Sequence, residues 1–330
     1  MAPVTLIGDP FGASGRAEHI RAVWRALTAS GLCPAILDLW GHPHPPDDSL
    51  AAFAAPLVAA PVPGLRIFHL NGEEVEMGLE RLEARAPGSL GEGYNIVFPA
   101  WELPRYPAGW ARQLERFDEI WTASGFAEAA IRPAVSKPVL RLPNACEPHV
   151  TQPLDRAHFG LPEDRFLILF FFDLWSYIGR KNPGAVVRAF RDALAARPAA
   201  GLHLVLKLNH SDHDPEGRRR VLQEVAALGG RATLIDATLS NNEAKNLVRC
   251  CDCFLSLHRS EGFGRGPAEA MFFGKPVVAT GWSGNMEYMT PRVSFPVAYR
   301  LVPVRAGEYP AHEGQVWAEP DVDHAVRCLL

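Results

Sequence analysis

The 330-residue sequence lacks the features that mark membrane-spanning, secreted and nucleic-acid-binding proteins. No run approaches the ~18 consecutive apolar residues of a membrane span. Residues 4–7 are typical of a strand, where a signal peptide would have a charged start and an apolar core. A cytoplasmic setting is therefore expected, with docking on a membrane surface left open. The formal net charge of −4 provides no basic face, so nucleic acid is not an expected partner.

Cysteine and histidine are also not arranged as a disulfide framework or a metal centre would require. Six cysteines are spread over the chain. Cys250 and Cys253 have a C-x-x-C spacing, but no second pair stands near them and zinc prefers four ligands. Four histidines form close pairs in polar segments and are predicted to be solvated loop residues: His42, His44, His210 and His213. No metal and no cofactor are expected.

What the sequence does have is a regular alternation of apolar runs of strand length with amphipathic stretches of helix length. Continuous apolar strands between helices indicate parallel sheets covered on both faces, an α/β class. The predicted strands are 4–8, 35–39, 66–70, 94–98, 119–122, 139–142, 166–172, 202–208, 232–235, 253–257 and 276–279. The clearest helices are 17–29, 183–196, 215–227 and 243–250.

The alternation is interrupted once, at residues 143–165, where prolines recur. This segment is predicted to be a linker between two Rossmann-like domains, residues 1–150 and 151–330. Ligands of open α/β sheets bind beyond the carboxyl ends of the strands. The functional site is therefore expected in a cleft that the two domains share.

The strongest local signal lies between a predicted strand and a helix. Gly262, Gly264 and Gly266 let the backbone approach a ligand, and the helix start offers unpaired amides to a phosphate. Glu269 is predicted in the first helical turn, where it can accept hydrogen bonds from ribose hydroxyls. Glu261 is predicted to hold a sugar. The alternative is that Glu269 complements the helix dipole and Glu261 is a solvated loop acid.

A second signal follows the strand at 166–172. Arg180 and Lys181 precede Asn182, a predicted helix N-cap, and Pro183, a predicted first helical residue. Two cations in front of a helix N-terminus oppose its dipole unless an anion is expected there. A diphosphate fits this pattern. An ordinary exposed basic pair is the alternative.

A third glycine-containing turn follows the first strand. Its glycines, Gly8, Gly12 and Gly15, do not have the G-x-G-x-x-G spacing of a dinucleotide fingerprint. An NAD-binding role is not expected, although Asp38 stands where such folds often hold a ribose.

Together these residues resemble the retaining glycosyltransferases of the GT-B fold, specifically glycosyltransferase family 4. The likeness rests on the Glu261 to Glu269 element with its Glu-Gly-Phe-Gly interior. It extends to residues 101–104, 180–183, 252–257, 274–280 and 281–285. The resemblance implies two Rossmann-like domains facing a central cleft, the first on the acceptor side and the second binding a nucleotide-sugar.

The resemblance also implies a role for each matching position. Glu269 would bind the ribose, Glu261 the donor sugar, and Arg180 with Lys181 the diphosphate. The remaining donor contacts would come from amides around Gly262, Phe263 and Gly264, from Thr238 and Leu239 at the base, and from Gly12 and Gly15 in the first domain.

The implied reaction moves a hexose from a UDP- or GDP-sugar to a glycan, lipid-linked or small-molecule hydroxyl, as in polysaccharide biosynthesis. It retains configuration and needs no metal, because the leaving diphosphate takes the proton and the cations stabilise its charge. Three departures stand out. Ser176 and Arg180 would replace an arginine after residue 172, Glu102 would replace a histidine near the acceptor, and the usual last helix is not evident before Leu330. A GT-B epimerase or phosphorylase, or a non-catalytic sugar-nucleotide-binding subunit, are the alternatives.

Overall fold

The computed structural model describes residues 2–42 and 47–330. The chain divides into two compact units, Met1–Cys146 and Glu147–Leu330. Each unit contains its own six-stranded parallel sheet. Among the described residues, no helix has both the length and the apolar character needed to cross a bilayer.

The first unit has the strand order β2-β1-β3-β4-β5-β6, all parallel. Its chain reverses direction across the sheet between β1 and β3. The strands are β1 (Val4–Gly8), β2 (Ala35–Asp38), β3 (Leu65–Phe68), β4 (Tyr94–Val97), β5 (Glu119–Thr122) and β6 (Val139–Arg141). The helices are α1 (Gly15–Ala29), α2 (Val75–Arg85), α3 (Ala108–Leu114) and α4 (Gly125–Ile131).

The second unit has the order β12-β11-β10-β7-β8-β9, again parallel. Its strands are β7 (Phe166–Asp173), β8 (Leu202–Asn209), β9 (Ala232–Asp236), β10 (Cys253–Ser256), β11 (Val277–Thr280) and β12 (Phe295–Val297). An antiparallel pair follows, β13 (Tyr299–Pro303) and β14 (Val316–Pro320). The helices are α5 (Ile178–Lys181), α6 (Pro183–Ala196), α7 (Pro215–Ala226), α8 (Asn241–Cys250), α9 (Arg265–Phe272) and α10 (Val322–Leu329).

All eleven strands expected from the sequence are present, with ends within two residues of the prediction. The cause is burial on both faces: β1, β8, β10 and β11 contain no exposed residue. Strands β12, β13 and β14 were not predicted. Each contains or ends in a proline (Pro296, Pro303 and Pro320), and proline is found only at edges and ends of sheets.

The predicted linker is only partly a linker. Its second half is fixed to the second unit, because Asn242 at the start of α8 accepts from the Thr151 amide at 2.9 Å. Arg156 makes a bidentate pair with Asp252 at 2.8 and 2.9 Å. The irregular backbone that the prolines predict is therefore held in place by side chains of α8 and the start of β10.

Candidate functional site

The candidate site lies at the carboxyl edge of the second sheet, where the strand order reverses between β7 and β10. Open α/β sheets bind ligands at this point because the loops after the two strands diverge. Here the loops remain tied together near the sheet: the Arg259 amide donates to the Arg180 carbonyl at 2.8 Å. The Arg259 side chain donates to Gly179 O at 2.8 Å and pairs with Glu319 of β14 at 2.7 Å. The unpredicted β13–β14 pair thus supports both loops.

Three residues that the sequence singled out come together here. Glu261 lies 2.5 Å from Lys181 Nζ and 3.2 Å from an Arg180 guanidinium nitrogen, and all three side chains are at most 17% exposed. Burial opposes ionisation of Glu261, but Lys181 and Arg180 outweigh it and lower its pKa to about 2. Glu261 is therefore a permanent anion near neutral pH, held between two cations.

The local structure around these cations differs from the prediction in two ways. Arg180 and Lys181 precede α6 as predicted, but they also end the short helix α5, where positive charge is favourable. Asn182 does not cap α6 with its side chain. It adopts a left-handed backbone (φ 53°) and donates from Nδ2 to Leu257 O at 3.0 Å, while Pro183 begins α6 as predicted. Asn182 thus joins the β7 and β10 loops.

The backbone of Glu261 is held from the loop that follows β11. Ser283 Oγ accepts from the Glu261 amide at 2.8 Å, and the Gly284 amide donates to Glu261 O at 2.8 Å. A Cβ at Gly284 would lie 2.0 Å from Gly262 O, so only glycine permits this approach. Residues 281–285, which belong to the predicted resemblance, therefore position Glu261.

A buried histidine that the sequence interpretation missed completes this bracing. His258 is fully buried, and its Nε2 donates to Asn285 Oδ1 at 3.1 Å, because Asn285 uses its amide nitrogen on Thr280 O. Its Nδ1 then accepts from Ser256 Oγ at 2.9 Å. Burial lowers the pKa of His258 to about 4, so the ring is neutral. In the sequence, the burial of His258 is indicated by its place directly after the apolar residues of β10.

Glu269 does not lie in the first turn of its helix, as predicted, but is the fifth residue of α9. It is buried and pairs with Lys245 of α8 at 2.7 Å and with Arg265 at 3.2 Å. Neither cation was predicted. Lys245 lies on the buried side of α8. Lysine is almost never fully buried without a partner, so a lysine at a buried helical position indicates such a pair.

The glycines of the loop are required for different reasons. Gly264 has φ 84°, and Tyr288 donates its hydroxyl to Gly264 O. A Cβ at Gly266 would lie 2.8 Å from the ring of Phe254, so Gly266 serves helix–sheet packing rather than ligand approach. Phe263 is buried, with its ring 5.1 Å from that of Tyr288.

A cavity of about 510 Å³ opens at the carboxyl ends of β8 and β9. Thr238, which was predicted to face the base, lines this cavity, whereas Leu239 packs on the core. Trp175 is 56% exposed and stacks on His210 with ring centres 3.7 Å apart. Half-buried Ser176 ends the same turn and accepts from the Arg180 side chain at 3.2 Å. The remaining lining residues are Leu208, Ser211, Asp212, His213, Asp236 and Ala237.

The prediction of solvated histidines is wrong for His210. Its Nδ1 lies 2.8 Å from Asp173, and its ring is covered by Trp175. His213 is exposed and meets Trp175 edge-on. His42 is exposed and lies 3.5 Å from Asp9, while His44 falls outside the described residues.

The remaining predicted residues belong to the first unit. Gly12 donates its amide to Asp9 Oδ1 at 3.1 Å, and Asp9 fills the space that a Cβ would need. Gly15 begins α1, behind the N-cap Ser14. Glu102 is half-buried and follows the buried Trp101 beyond β4. All three stand at the carboxyl edge of the first sheet.

Comparison with known proteins agrees with this fold. Residues 152–297 match the family model described as Glycosyl transferases group 1. No curated protein matches the sequence. This match lies within the second unit and confirms the predicted resemblance to glycosyltransferases.

Solved structures of glycosyltransferases share the fold of the chain. HepE of Anabaena in complex with UDP and glucose is 14% identical with a TM-score of 0.63, over 90% of this chain and 86% of that one. Sucrose-phosphate synthase of Thermosynechococcus elongatus is 16% identical with a TM-score of 0.66, over 100% and 89%. A UDP-forming trehalose-phosphate synthase of Burkholderia xenovorans is 12% identical with a TM-score of 0.64, over 100% and 90%. The predicted GT-B fold is thereby confirmed.

Proposed function

We propose that this protein is a retaining glycosyltransferase of family 4 that transfers a hexose from a UDP- or GDP-sugar to an acceptor hydroxyl of a glycan, a lipid-linked sugar or a small molecule. The observation that carries the proposal is the Arg180–Glu261–Lys181 cluster at the reversal point of the second sheet. Two cations and a carboxylate, all largely buried, suit a ligand that has both anionic oxygens and hydroxyls. HepE, which has the same fold, is described in complex with UDP and glucose and with UDP-glucose.

In this proposal each charged group keeps a separate task. Lys181 and Arg180 stabilise the diphosphate, and the Glu261 carboxylate accepts from hydroxyls of the donor sugar. Glu269 accepts from the ribose and is held in place by its ion pair with Lys245. The departing diphosphate takes the proton of the attacking hydroxyl, so catalysis is mainly positioning and charge stabilisation, without a metal. Glu102 is assigned to the acceptor side, and Gly12 and Gly15 of the first unit are assigned to the donor.

The test has two parts. A thermal-shift screen against UDP, GDP, ADP and their sugars should show one base stabilising the protein, because a ligand at 100 times its Kd adds ~2.7 kcal/mol. Release of nucleotide from that donor without acceptor, unaffected by EDTA, then distinguishes a transferase from a binding subunit. Glu269→Ala should abolish both signals, and Glu216→Ala, at an exposed position of α7, should change neither. Failure of every nucleotide-sugar to bind the wild type would refute the proposal.

A further inference from the structure

One charged side chain at the same edge has no role in the function proposed so far. Lys207 lies on β8, the neighbour of the edge strand β9, and is 8% exposed. Its Nζ donates to Asn209 Oδ1 at 2.5 Å, which places the ammonium group level with the last residue of the strand. An ammonium group has three N–H donors. Among the described residues Lys207 forms no ion pair within 4.0 Å.

The carboxylate that acts on the charge of Lys207, that of Asp173, is already occupied. Asp173 is paired with Asn209 in the β7–β8 ladder, so it ends its strand beside the Lys207 ammonium. However, Asp173 Oδ2 binds His210 at 2.8 Å, and its Oδ1 accepts from the Trp175 amide at 2.9 Å. Burial lowers the pKa of Lys207 to about 8, and only Asp173 opposes this effect. A buried cation with one neutral partner is unfavourable unless an anion arrives.

Arg180, by contrast, is largely used by the protein itself. Its Nε donates to Ser176 O at 3.2 Å, and another guanidinium nitrogen donates to Ser260 O at 3.0 Å. The guanidinium also lies 5.9 Å from the ring centre of Tyr309. Arg180 therefore holds the β7 and β10 loops together, which leaves less of it for a ligand than its position in the sequence suggests.

We propose that Lys207 is a further donor-binding residue, whose buried ammonium group contacts the diphosphate of the nucleotide-sugar from the sheet side of the site. This inference rests on the proposed function and adds a third cation to it. The diphosphate supplies the counter-charge that Lys207 lacks, and Asn209 aims the ammonium at it. The ligand class is a nucleoside diphosphate, with inorganic pyrophosphate as its smallest probe.

The ionisable groups around Lys207 lie at the ends of strands β7, β8 and β9 or on helices α8 and α9. They are Asp173, His210, Asp236, Lys245, Arg265 and Glu269. Most of them are paired with one another or, for Asp236, with Arg218. Binding of a diphosphate should therefore depend on the protonation of Lys207 itself. Its affinity should fall as pH rises through about 8, because the lysine must then take up a proton to bind.

The experiment measures Kd of the nucleoside diphosphate that stabilises the wild type, and of pyrophosphate, by calorimetry. Lys207→Met should raise both constants roughly 10- to 100-fold, as expected for loss of a charge-assisted hydrogen bond. It should leave the melting temperature of the unliganded protein unchanged or higher, because a buried unpaired charge is removed. Lys275→Met, which removes the same charge at the start of β11 on the opposite edge of the sheet, should change neither constant.

The pH dependence gives an independent measurement on the wild type, which remains valid even if Lys207→Met fails to fold. Between pH 7 and 9.5 the wild-type Kd of the nucleoside diphosphate should rise, by up to tenfold per pH unit above the pKa of Lys207. The same curve should be flat in Lys207→Met. Equal affinity of the variant and the wild type, or a flat wild-type curve, would overturn the inference and leave the proposed function standing. Absence of any nucleoside diphosphate binding by the wild type would overturn both.

Discussion

Replacing Glu261 by glutamine tests whether its carboxylate stabilises the donor-free protein. The amide has the same size but no charge, so Lys181 at 2.5 Å and Arg180 at 3.2 Å lose their common counter-charge. Burial acts against ionisation of Glu261, yet the two cations bring its pKa from 4.5 to about 2. A change of that size corresponds to roughly 3 kcal/mol of interaction. We expect Glu261→Gln to lower the free energy of unfolding of the second unit by about that amount.

The assay is chemical denaturation at pH 7, with Glu216→Gln as the matched control. Glu216 is 73% exposed and lies 4.0 Å from Arg220, so its replacement should change the free energy of unfolding by less than about 0.5 kcal/mol. The folded protein holds the ionised form of Glu261 more strongly than the unfolded chain does. The difference between Glu261→Gln and wild type should therefore be full above pH 4.5 and shrink as pH falls towards 2.

A ligand should partly reverse the same defect. Pyrophosphate brings negative charge to the two cations, so it should raise the melting temperature of Glu261→Gln by more than that of the wild type. Equal free energies of unfolding for Glu261→Gln, Glu216→Gln and wild type would refute the reasoning. That result would mean that Lys181 and Arg180 are solvated well enough to need no partner.

Three further outcomes are expected. Because burial lowers the pKa of His258 from 6.5 to about 4, the folded protein binds fewer protons than the unfolded chain in this range. Roughly 3 kcal/mol of stability should therefore be lost as pH falls from 6.5 to 4. Denaturation at pH 7 and pH 5 should show a smaller pH effect in His258→Gln than in the wild type. Gly284→Ala should destabilise the second unit by at least about 2 kcal/mol in thermal unfolding, since its Cβ would strike Gly262 O, whereas Gly91→Ala, with nothing near its Cβ, should not. Trp175→Ala should weaken nucleotide binding about tenfold in calorimetry, if its exposed ring stacks on the base, without changing the melting temperature by more than about a degree.

The sheets could be predicted from the sequence because nearly every strand in them is buried on both faces. A strand such as β8, which has no exposed residue, must be apolar along its whole length and is therefore conspicuous. The β13–β14 pair contains three exposed residues in a row at Tyr299, Arg300 and Leu301, so it has no such pattern. Its place depends on the contact of Glu319 with Arg259, which is 60 residues earlier in the chain.

The candidate site could be predicted in its residues but not in its pairings. Glu261, Lys181 and Glu269 were recognisable from short motifs, because each motif is local in the chain. The partner of each is not local: Lys181 and Glu261 are 80 positions apart, and Lys245 precedes Glu269 by 24. Only the strand order, which sets β7 beside β10, brings such residues together.

Arg180 and Lys181 were expected to meet an anionic ligand, but a carboxylate of the protein already pairs with both. Glu261 neutralises Lys181 and Arg180, and Glu269 neutralises Lys245 and Arg265. A diphosphate that approaches Lys181 must therefore compete with a carboxylate that the protein supplies. The same competition frees oxygens of Glu261 for hydroxyl groups, so anion and sugar binding would be coupled through one side chain.

This arrangement also indicates where discrimination between donors is expected. The backbone of Glu261 is fixed by Ser283 and Gly284, and Glu269 is fixed by two cations, so these parts have little freedom to adapt. Diphosphate and ribose are common to all nucleotide-sugars, and a rigid site suits what does not vary. The cavity beside Trp175 is bordered by loops, with the Trp175 ring exposed and Asp212 exposed. Selectivity for one base should therefore change with substitutions around this cavity and not with those at Glu261 or Glu269.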